Sequence, residues 1–346
     1  MKNIGIFTRF VAVLTLILLL CASLAGCKKD ETTKEAAETH SAVYYDYFDT
    51  ITQITDYSGG SQESFDSAMV TAESLLDYYH RIFDIYHEYS GINNLATVNK
   101  KAGVQPVKVD GALLDFLEYA RQLYYLTDGN VNIAMGSVLS IWHEYRTIGV
   151  AIPPMEILTE ASHHTDIEKM IINREDSTVY LADAEMSLDV GAIAKGYACQ
   201  KIAEALEAAG YSSYVLDLGG NLKAIGYKPD GSTWRTAVRN PDIYADDPYI
   251  YYFNIADTSV VTSGDYQRYY TVGGVNYHHI INKDTLMPAD YFSSVTIITK
   301  NSGLADGLST ALFNMDYEAG LALVSSIEGV SVVWVTKDGQ VKTYGI

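Results

Sequence analysis

The first 27 residues place the strongest constraint on the fold, because they remove two of the chain's three cysteines from it. They comprise a basic start, an apolar run at 10–20 and the sequence Leu-Ala-Gly-Cys at 24–27, which is the pattern of a lipoprotein signal peptide. We expect cleavage before Cys27 and attachment of lipid to this cysteine. Cys199 then has no cysteine with which to pair, so the exported domain must be stable through its hydrophobic core alone.

This pattern divides the chain into three segments. Residues 1–26 are the predicted signal peptide, 27–45 the lipidated cysteine with a polar, flexible tether, and 46–346 a single large domain. A transmembrane anchor is the alternative, but the apolar run is short for a bilayer-spanning helix of about 20 residues. We therefore expect a protein that is lipid-anchored at the extracytoplasmic face of the cell membrane.

The charge of the chain excludes one class of partner. Its 24 basic and 43 acidic residues give a net charge of -19 at pH 7, and most of such a surface repels a phosphate backbone. We therefore expect no binding of nucleic acid. Hydrophobic residues make up 48% of the chain, which is enough for a packed core and excludes a disordered protein.

Hydrophobic periodicity predicts an α+β fold in which strands and helices are mixed along the chain. No repeat has the period of a solenoid or a propeller. The predicted helices lie at 64–89, 113–126, 194–209, 304–315 and 317–326. The predicted strands lie at 46–57, 214–218 and 295–299, with hairpins at 178–190 and around 338–339.

The most informative segment is Ser-Leu-Asp-Val-Gly-Ala-Ile-Ala-Lys-Gly-Tyr-Ala at 187–198. It predicts a strand that carries Asp189, then a loop of small residues, then the start of a helix. The free N–H groups of such a helix start suit a phosphate, and Lys195 in the first turn is disfavoured by the helix dipole unless an anion is bound there. The alternative is a surface lysine on an ordinary turn, and this segment alone does not decide between them.

A second segment, 305–313, places Asp306 and Thr310 four residues apart, on one face of a predicted helix. A carboxylate and a hydroxyl are hard oxygen ligands, and Mg²⁺ is often held by few protein oxygens, with water and phosphate completing its shell. The alternative is structural. In that case Asp306 is a first-turn acid stabilised by the dipole, and Thr310 bonds back to a carbonyl of the preceding turn.

A third segment joins a short polar loop at 263–269 to an adjacent histidine pair, His278 and His279, through a Gly-Gly turn. This arrangement can form a cleft that contains a proton acceptor. Adjacent side chains of a strand point to opposite faces, so only one of the two histidines can face the cleft. The alternative is that both are ordinary core or surface residues.

Together these segments resemble the ApbE family, the FAD:protein FMN transferases. The resemblance covers nearly all of the chain from about residue 46 and implies a single large catalytic domain with an ApbE-like, T-fold-like architecture. It rests on motifs in the family's order, at 189–198, 216–226, 263–269, 279–281 and 305–313, with weaker ones at 82–99 and 129–142.

The resemblance implies a reaction and a set of site residues. FAD is cut at its pyrophosphate, FMN is left on a Thr or Ser hydroxyl of an exported partner protein, and AMP departs. Mg²⁺ is held by the backbone oxygen of Ala192 together with Asp306 and Thr310, and His279 is the catalytic base. The implied contacts to FAD are Phe48, Asn132, Asp189, Lys195, Ser263, Gly264, Asp265 and Tyr266.

Some positions depart from the family's pattern. Phe48 stands where a Met is common, Asn132 where an Asp is frequent, and Gly307 where an Ala is frequent, while 282–288 differs from the usual run after the histidine. These changes affect the flavin pocket more than the metal ligands. Two other functions stay open: an FAD pyrophosphatase that yields FMN and AMP with water as nucleophile, and a non-enzymatic, lipid-anchored protein that binds flavin or another solute.

Overall fold

The fold was obtained as a computed structural model, which describes residues 38–242 and 244–346. The predicted signal peptide, the lipidation site Cys27 and the first part of the predicted tether lie outside the described residues. Within them, no helix combines the length and the apolar character needed to cross a membrane.

The domain is built on one eight-stranded antiparallel sheet, in the order β1-β2-β6-β7-β10-β13-β14-β15. Three smaller sheets, β3-β5-β4, β8-β9 and β11-β12, are also antiparallel. The strands are β1 (His40–Tyr44), β2 (Thr52–Asp56), β3 (Val107–Lys108), β4 (Met170–Asn173), β5 (Thr178–Leu181), β6 (Tyr214–Leu218), β7 (Asn221–Ile225), β8 (Trp234–Arg239), β9 (Tyr249–Ile255), β10 (Ser259–Gly264), β11 (Tyr269–Val272), β12 (Val275–His278), β13 (Phe292–Thr299), β14 (Ser331–Thr336) and β15 (Val341–Tyr344).

Eight α-helices and one 3-10 turn (Ile167–Lys169) occur among the described residues. The helices are α1 (Gln62–Phe83), α2 (Leu95–Lys100), α3 (Gly111–Leu126), α4 (Gly136–Ile148), α5 (Met155–Ser162), α6 (Ala194–Ala208), α7 (Ser302–Phe313) and α8 (Tyr317–Ser325). Polar side chains begin several of them by accepting a backbone N–H bond, as Asp110 does for α3 and Asn301 for α7. α6 and α7 contact each other, and α7 also contacts β10 and β13 of the large sheet.

A single large core lies between the helices and this sheet, with fully buried Trp334 on β14 and Phe313 on α7. A separate cluster surrounds Trp142 of α4, whose Nε1 donates to the carbonyl of Leu286 at 2.9 Å. Cys199, the free cysteine among the described residues, is fully buried on α6. Burial raises the pKa of this thiol to about 12.

Sequence patterning located most of these elements, and the α+β class is confirmed. The strand at 214–218 and the helices that begin near 113, 194 and 317 are close to their predicted bounds. The predicted hairpin at 178–190 is wrong, because β5 pairs with the preceding β4 and with β3, and 182–190 continues as a loop. The predicted strand at 46–57 is shorter, since it forms only at 52–56.

The predicted end of the tether at residue 45 is also wrong. Residues 40–44 form β1, which pairs along its full length with β2 at the edge of the large sheet. The side chain of His40 is buried, bonds the carbonyl of Gly60 through Nε2 at 3.0 Å and stacks on Phe65. The polar composition before residue 43 concealed this strand, whose outward positions face solvent.

We expect a chain that begins at Asp46 to be less stable than one that begins at Glu38. The shorter chain loses the β1 ladder and uncovers part of β2 and Phe65, so its melting temperature should fall by several degrees. Thermal denaturation followed by circular dichroism measures the difference. Equal melting temperatures would show that β1 contributes nothing to the fold.

Candidate active site

The loop before α6 uses most of its own backbone N–H groups, since Ile193 N–H and Ala194 N–H both donate to Val190 O. Its start is fixed by the Asp189 N–H, which donates to Ile133 O at 2.8 Å, and by the Asp189 carboxylate, which accepts from Gly191 N–H at 2.9 Å. Ile193 occupies the N-cap position and has no side chain that can cap the helix. The N–H groups of Lys195 and Gly196 in the first turn of α6 are therefore left for acceptors outside the helix.

One of these acceptors lies on α7. The N–H of Gly196 donates to Asp306 Oδ2 at 2.8 Å, although Asp306 lies 110 residues further along the chain. A Cβ at residue 196 would lie 2.4 Å from Asp306 Cβ and 2.4 Å from Ser302 O, so only glycine permits this approach. Burial raises the pKa of the Asp306 carboxyl, and the Lys195 ammonium and the Gly196 N–H partly offset that shift.

Three oxygen atoms at this helix contact accept no hydrogen bond from the described residues: Ala192 O, Asp306 Oδ1 and Thr310 Oγ1. The structural alternative for this pair fails on two counts. Asp306 is the fifth residue of α7 and so lies beyond the first turn. The Thr310 hydroxyl does not bond back to the helix, whereas neighbouring Ser309 does so, donating to Asp306 O at 2.9 Å. The geometry therefore leaves these oxygens available to a ligand.

This donor set suits a hard cation. Among the described residues no group of three or more His, Cys, Asp or Glu side chains could hold a metal. The set at this helix contact contains one carboxylate, that of Asp306. A carboxylate, a hydroxyl and a carbonyl are all oxygen donors. Mg²⁺ accepts such a partial set and completes its octahedron with water or phosphate oxygens.

The two neighbouring histidines differ in what they do. His278 is buried and uses both ring nitrogens, since Nε2 donates to Ala289 O at 2.8 Å and Nδ1 accepts from Ile280 N–H at 3.2 Å. His279 is partly exposed, and its Nδ1 donates to Arg268 O at 3.2 Å. Burial, together with the charges of Lys195 and Arg268, lowers the pKa of His279 to about 3. His279 is therefore neutral, with Nε2 free.

The polar loop after β10 serves partly to position α7. Ser263 Oγ lies 2.8 Å from Ser309 Oγ, which ties the end of β10 to the helix that carries Asp306. Asp265 forms an ion pair with Lys337 at 2.9 Å, and the ring of Tyr266 lies against Gly264. Asp265 and Tyr266 line a cleft of about 850 Å³ that also contains His278 but not Lys195, His279 or Asp306.

The remaining predicted FAD contacts are further apart. Phe48 and Asp49 both have positive φ values, 57° and 50°, and the Phe48 N–H donates to His80 Nδ1 at 3.2 Å. The Asn132 amide bonds two backbone groups, Thr165 O and Ala134 N–H, and lines a separate cleft of about 460 Å³. The structure therefore brings Lys195, His279 and Asp306 together, whereas Asn132, Asp265 and Tyr266 line other clefts.

Sequence reasoning missed a group of residues that faces the same region. Arg146 and His143 lie on α4, and Arg268 follows the polar loop. The pKa of His143 is lowered by burial and by the two arginines, while Asp189 opposes the shift. The only signal in the sequence was their spacing, with His143 and Arg146 three residues apart on one helix face.

Comparisons with known proteins identify the family. The sequence profile of the ApbE family matches residues 48–334. This chain belongs to the ApbE family. It is 33% identical over 310 residues to the FAD:protein FMN transferase of Treponema pallidum, and the aligned region covers 85% of this chain and 83% of that protein. It is 30% identical over 261 residues to the FAD:protein FMN transferase of Vibrio cholerae, and the aligned region covers 74% of this chain and 76% of that protein.

Solved structures agree with this assignment. A crystal structure of the ApbE protein of Thermotoga maritima matches with a TM-score of 0.78 and 26% identity, covering 89% of this chain and 97% of that one. The flavin transferase ApbE of Vibrio cholerae matches with a TM-score of 0.75 and 25% identity over the same shares. The ApbE-like α+β fold is therefore confirmed.

Gly196→Ala should separate α6 from α7. The new methyl group meets a backbone carbonyl and the Cβ of Asp306, neither of which can move independently, so we expect a loss of about 1–3 kcal/mol in the free energy of unfolding. Gly307→Ala is the matched control. The nearest atoms to its Cβ would all be ends of side chains, Leu123 Cδ1 at 2.8 Å and Ile193 Cγ2 at 3.4 Å, rather than backbone atoms, so we expect a smaller loss. Chemical denaturation measures both, and equal losses would contradict the assigned role of Gly196.

Proposed function

We propose that this protein transfers FMN from FAD to a Thr or Ser hydroxyl of an exported partner protein, releases AMP, and depends on Mg²⁺. The observation that carries the proposal is the contact between α6 and α7, where three oxygens that accept no hydrogen bond from the described residues lie beside the first turn of α6, which carries Lys195. The known activity of the curated relatives, FAD:protein FMN transfer, is the reaction that such a site suits.

Ala192 O, Asp306 and Thr310 would hold the metal ion. Their three oxygens match the preference of Mg²⁺, and the N–H bond from Gly196 fixes the orientation of the Asp306 carboxylate. When bound, the ion neutralises the charge of the pyrophosphate oxygens. Lys195 and the N-terminus of α6 add positive charge on the same side, and so orient the phosphate that is to be transferred.

His279 supplies the base. Its Nδ1–H is committed to the carbonyl of Arg268, so the tautomer leaves a lone pair on Nε2. Burial and the charges of Lys195 and Arg268 lower the pKa of the ring, so His279 is unprotonated at neutral pH. The same shift weakens the ring as a base, and the negative phosphates of bound FAD would raise the pKa again. The acceptor hydroxyl gives its proton to Nε2 as its oxygen bonds to the FMN phosphorus. The bond from that phosphorus to the bridging oxygen breaks, and AMP leaves with the electron pair.

We propose further that the enzyme acts outside the cytoplasm, anchored by lipid on Cys27. The support is the signal pattern of residues 1–27. Lipidation of an N-terminal cysteine adds more than one acyl chain, which gives stable membrane attachment. A mass spectrum of the mature N-terminal peptide tests this, since an unmodified Cys27 would contradict it.

We expect Asp306→Asn to abolish transfer without destabilising the metal-free fold. The raised pKa means that the native state binds more protons than the unfolded chain, so stability falls as the pH rises between the two pKa values. At neutral pH the buried negative charge of Asp306 therefore lowers the free energy of unfolding, and the neutral Asn side chain removes that penalty. In EDTA the variant should melt at or above the temperature of the parent. Mg²⁺ should raise only the parent's melting temperature.

The functional assay for this variant uses FAD, Mg²⁺ and a fractionated set of exported proteins, with covalent flavin detected by fluorescence and mass spectrometry. Asp66→Asn, which changes an exposed carboxylate on α1, is the matched control and should transfer normally. FMN and AMP formed without any flavinylated protein would instead indicate an FAD pyrophosphatase. Mg²⁺-independent flavin binding without AMP would indicate a solute-binding protein.

We expect His279→Ala to reduce the rate of transfer by about 10²–10⁴-fold, the usual loss for a general base, while FAD is still bound. Rapid-quench kinetics and fluorescence titration with FAD measure the two effects. His163→Ala removes an exposed histidine and should leave both unchanged. His278→Ala should instead lower the melting temperature, because it removes two buried hydrogen bonds. Full transfer by His279→Ala would exclude it as the base.

A further inference from the structure

The turn that joins β1 to β2 has a backbone conformation that its own residues disfavour. Its central residues, Phe48 and Asp49, have φ values of 57° and 50°. Thr50 N–H donates to Tyr47 O at 3.3 Å, as in a type I′ turn. Such turns favour Asn and Gly at the two central positions, and a bulky aromatic residue with positive φ is an outlier. The turn at 47–50 is therefore strained and depends on its surroundings.

Two distant parts of the chain hold the second half of this turn. A Cβ at Gly219, in the turn after β6, would lie 2.0 Å from Thr50 Oγ1, so the absence of a side chain there makes room for Thr50. The Gly219 N–H also donates to Ile51 O at 3.1 Å. From the loop before β11, Arg268 Nη2 donates to Asp49 O at 3.0 Å. The turn is thus fixed to two other elements of the domain.

His80 on α1 holds the first half of the turn. Its Nδ1 accepts the Phe48 N–H at 3.2 Å, and the two rings pack edge to face with their centroids 5.7 Å apart. Because Nδ1 accepts, the ring proton lies on Nε2, which is 3.4 Å from the Tyr89 hydroxyl. That hydroxyl donates to Asp84 Oδ2 at 2.8 Å. Asp84 and Tyr89 therefore fix the orientation of the ring that accepts from Phe48.

The same turn is connected to the proposed base by hydrogen bonds. The carbonyl of Arg268 accepts from the His279 N–H at 3.1 Å and from His279 Nδ1–H at 3.2 Å, while its guanidinium bonds Asp49 O. Phe48, in the middle of the turn, is a residue for which the resemblance implies a contact with FAD. Backbone strain of this kind persists mainly at functional sites, where it preorganises the contacts to a ligand.

We propose that His80 is a positioning residue for the flavin half of FAD, and that it acts by holding Phe48 in the conformation that contacts the flavin ring. This inference rests on the proposed function, and it concerns a residue that neither the metal nor the base requires. Without the acceptor at Nδ1, Phe48 would favour the ordinary conformations with negative φ, which aim its side chain differently. The ligand group is a planar aromatic ring, packed against Phe48.

The test is equilibrium binding of FMN, followed by fluorescence titration, and of AMP, followed by calorimetry, to the folded protein in EDTA. His80→Phe keeps an aromatic ring but removes the acceptor, so we expect FMN to bind about tenfold more weakly and AMP as it does to the parent. His80→Asn places Oδ1 near the position of Nδ1 and should bind FMN almost as the parent does. His163→Phe, the same change at an exposed histidine, is the matched control and should alter neither.

A change in the turn itself separates positioning from packing. Glycine adopts positive φ without strain, and Asp49→Gly keeps the carbonyl that Arg268 bonds. Adding Asp49→Gly to His80→Phe should therefore restore most of the lost FMN affinity. Tyr89→Phe removes the hydroxyl that orients His80, should weaken FMN in the same direction, and serves as the test if circular dichroism shows that His80→Phe does not fold.

Four results would overturn the inference. These are no binding of FMN by the parent, unchanged FMN binding by His80→Phe or by the variant that replaces it, equal weakening of FMN and AMP, and no restoration of FMN binding by either His80→Asn or Asp49→Gly. A purely structural role for His80 would lower the melting temperature without distinguishing FMN from AMP. Because no turnover is measured, a protein that bound FMN as expected but failed to transfer it would contradict only the proposed function.

Discussion

The hydrogen bond from Gly196 N–H to Asp306 Oδ2 joins two helices that are far apart in sequence, and the rest of the site depends on it. It places a carboxylate where the first turn of α6 needs an acceptor, and it leaves the second carboxylate oxygen without a hydrogen bond from the described residues. The free oxygens of Ala192 and Thr310 come from the same two elements. A single residue without a Cβ therefore decides whether the ligand set exists at all.

Burial of the Asp306 carboxylate lowers the stability of the metal-free fold but provides a ligand for a cation. A carboxylate with one N–H partner in the core costs free energy, which the raised pKa of Asp306 expresses. A bound cation repays that cost, since it interacts with the native state and hardly with the unfolded chain. Stability of the metal-free protein and competence to bind metal thus oppose each other at one residue.

Much of the fold could be read from the sequence, because its signals were local. Alternating or helical periodicity located β6, α3 and α6, and the spacing of Asp306 and Thr310 indicated one helix face. Non-local contacts could not be read this way. The Gly196 bond spans 110 residues, and β1 is recognisable as a strand only once β2 is beside it. Asn132 and Asp265 were placed by resemblance, and the structure gives their side chains other partners.

The cluster of arginines was missed for a related reason. Charges at ordinary surface spacing carry no periodic signal, and Arg268 lies outside α4, the helix that carries Arg146. The packing of Trp142 on Tyr277 and Tyr270 joins α4 to the hairpin that follows Arg268. Side chains that are brought together from separate elements generally escape inspection of one sequence.

Cys199 gives the domain a property that has nothing to do with its chemistry. Its thiol lies wholly inside, on the face of α6 that packs on β7, with Sγ 3.7 Å from Asn221 O, and a pKa raised to about 12 leaves almost no thiolate. Oxidants and disulfide exchange act on the thiolate, so the closed domain is inert towards both. The rate at which an alkylating reagent modifies Cys199 would therefore report how often α6 separates from the sheet by local opening.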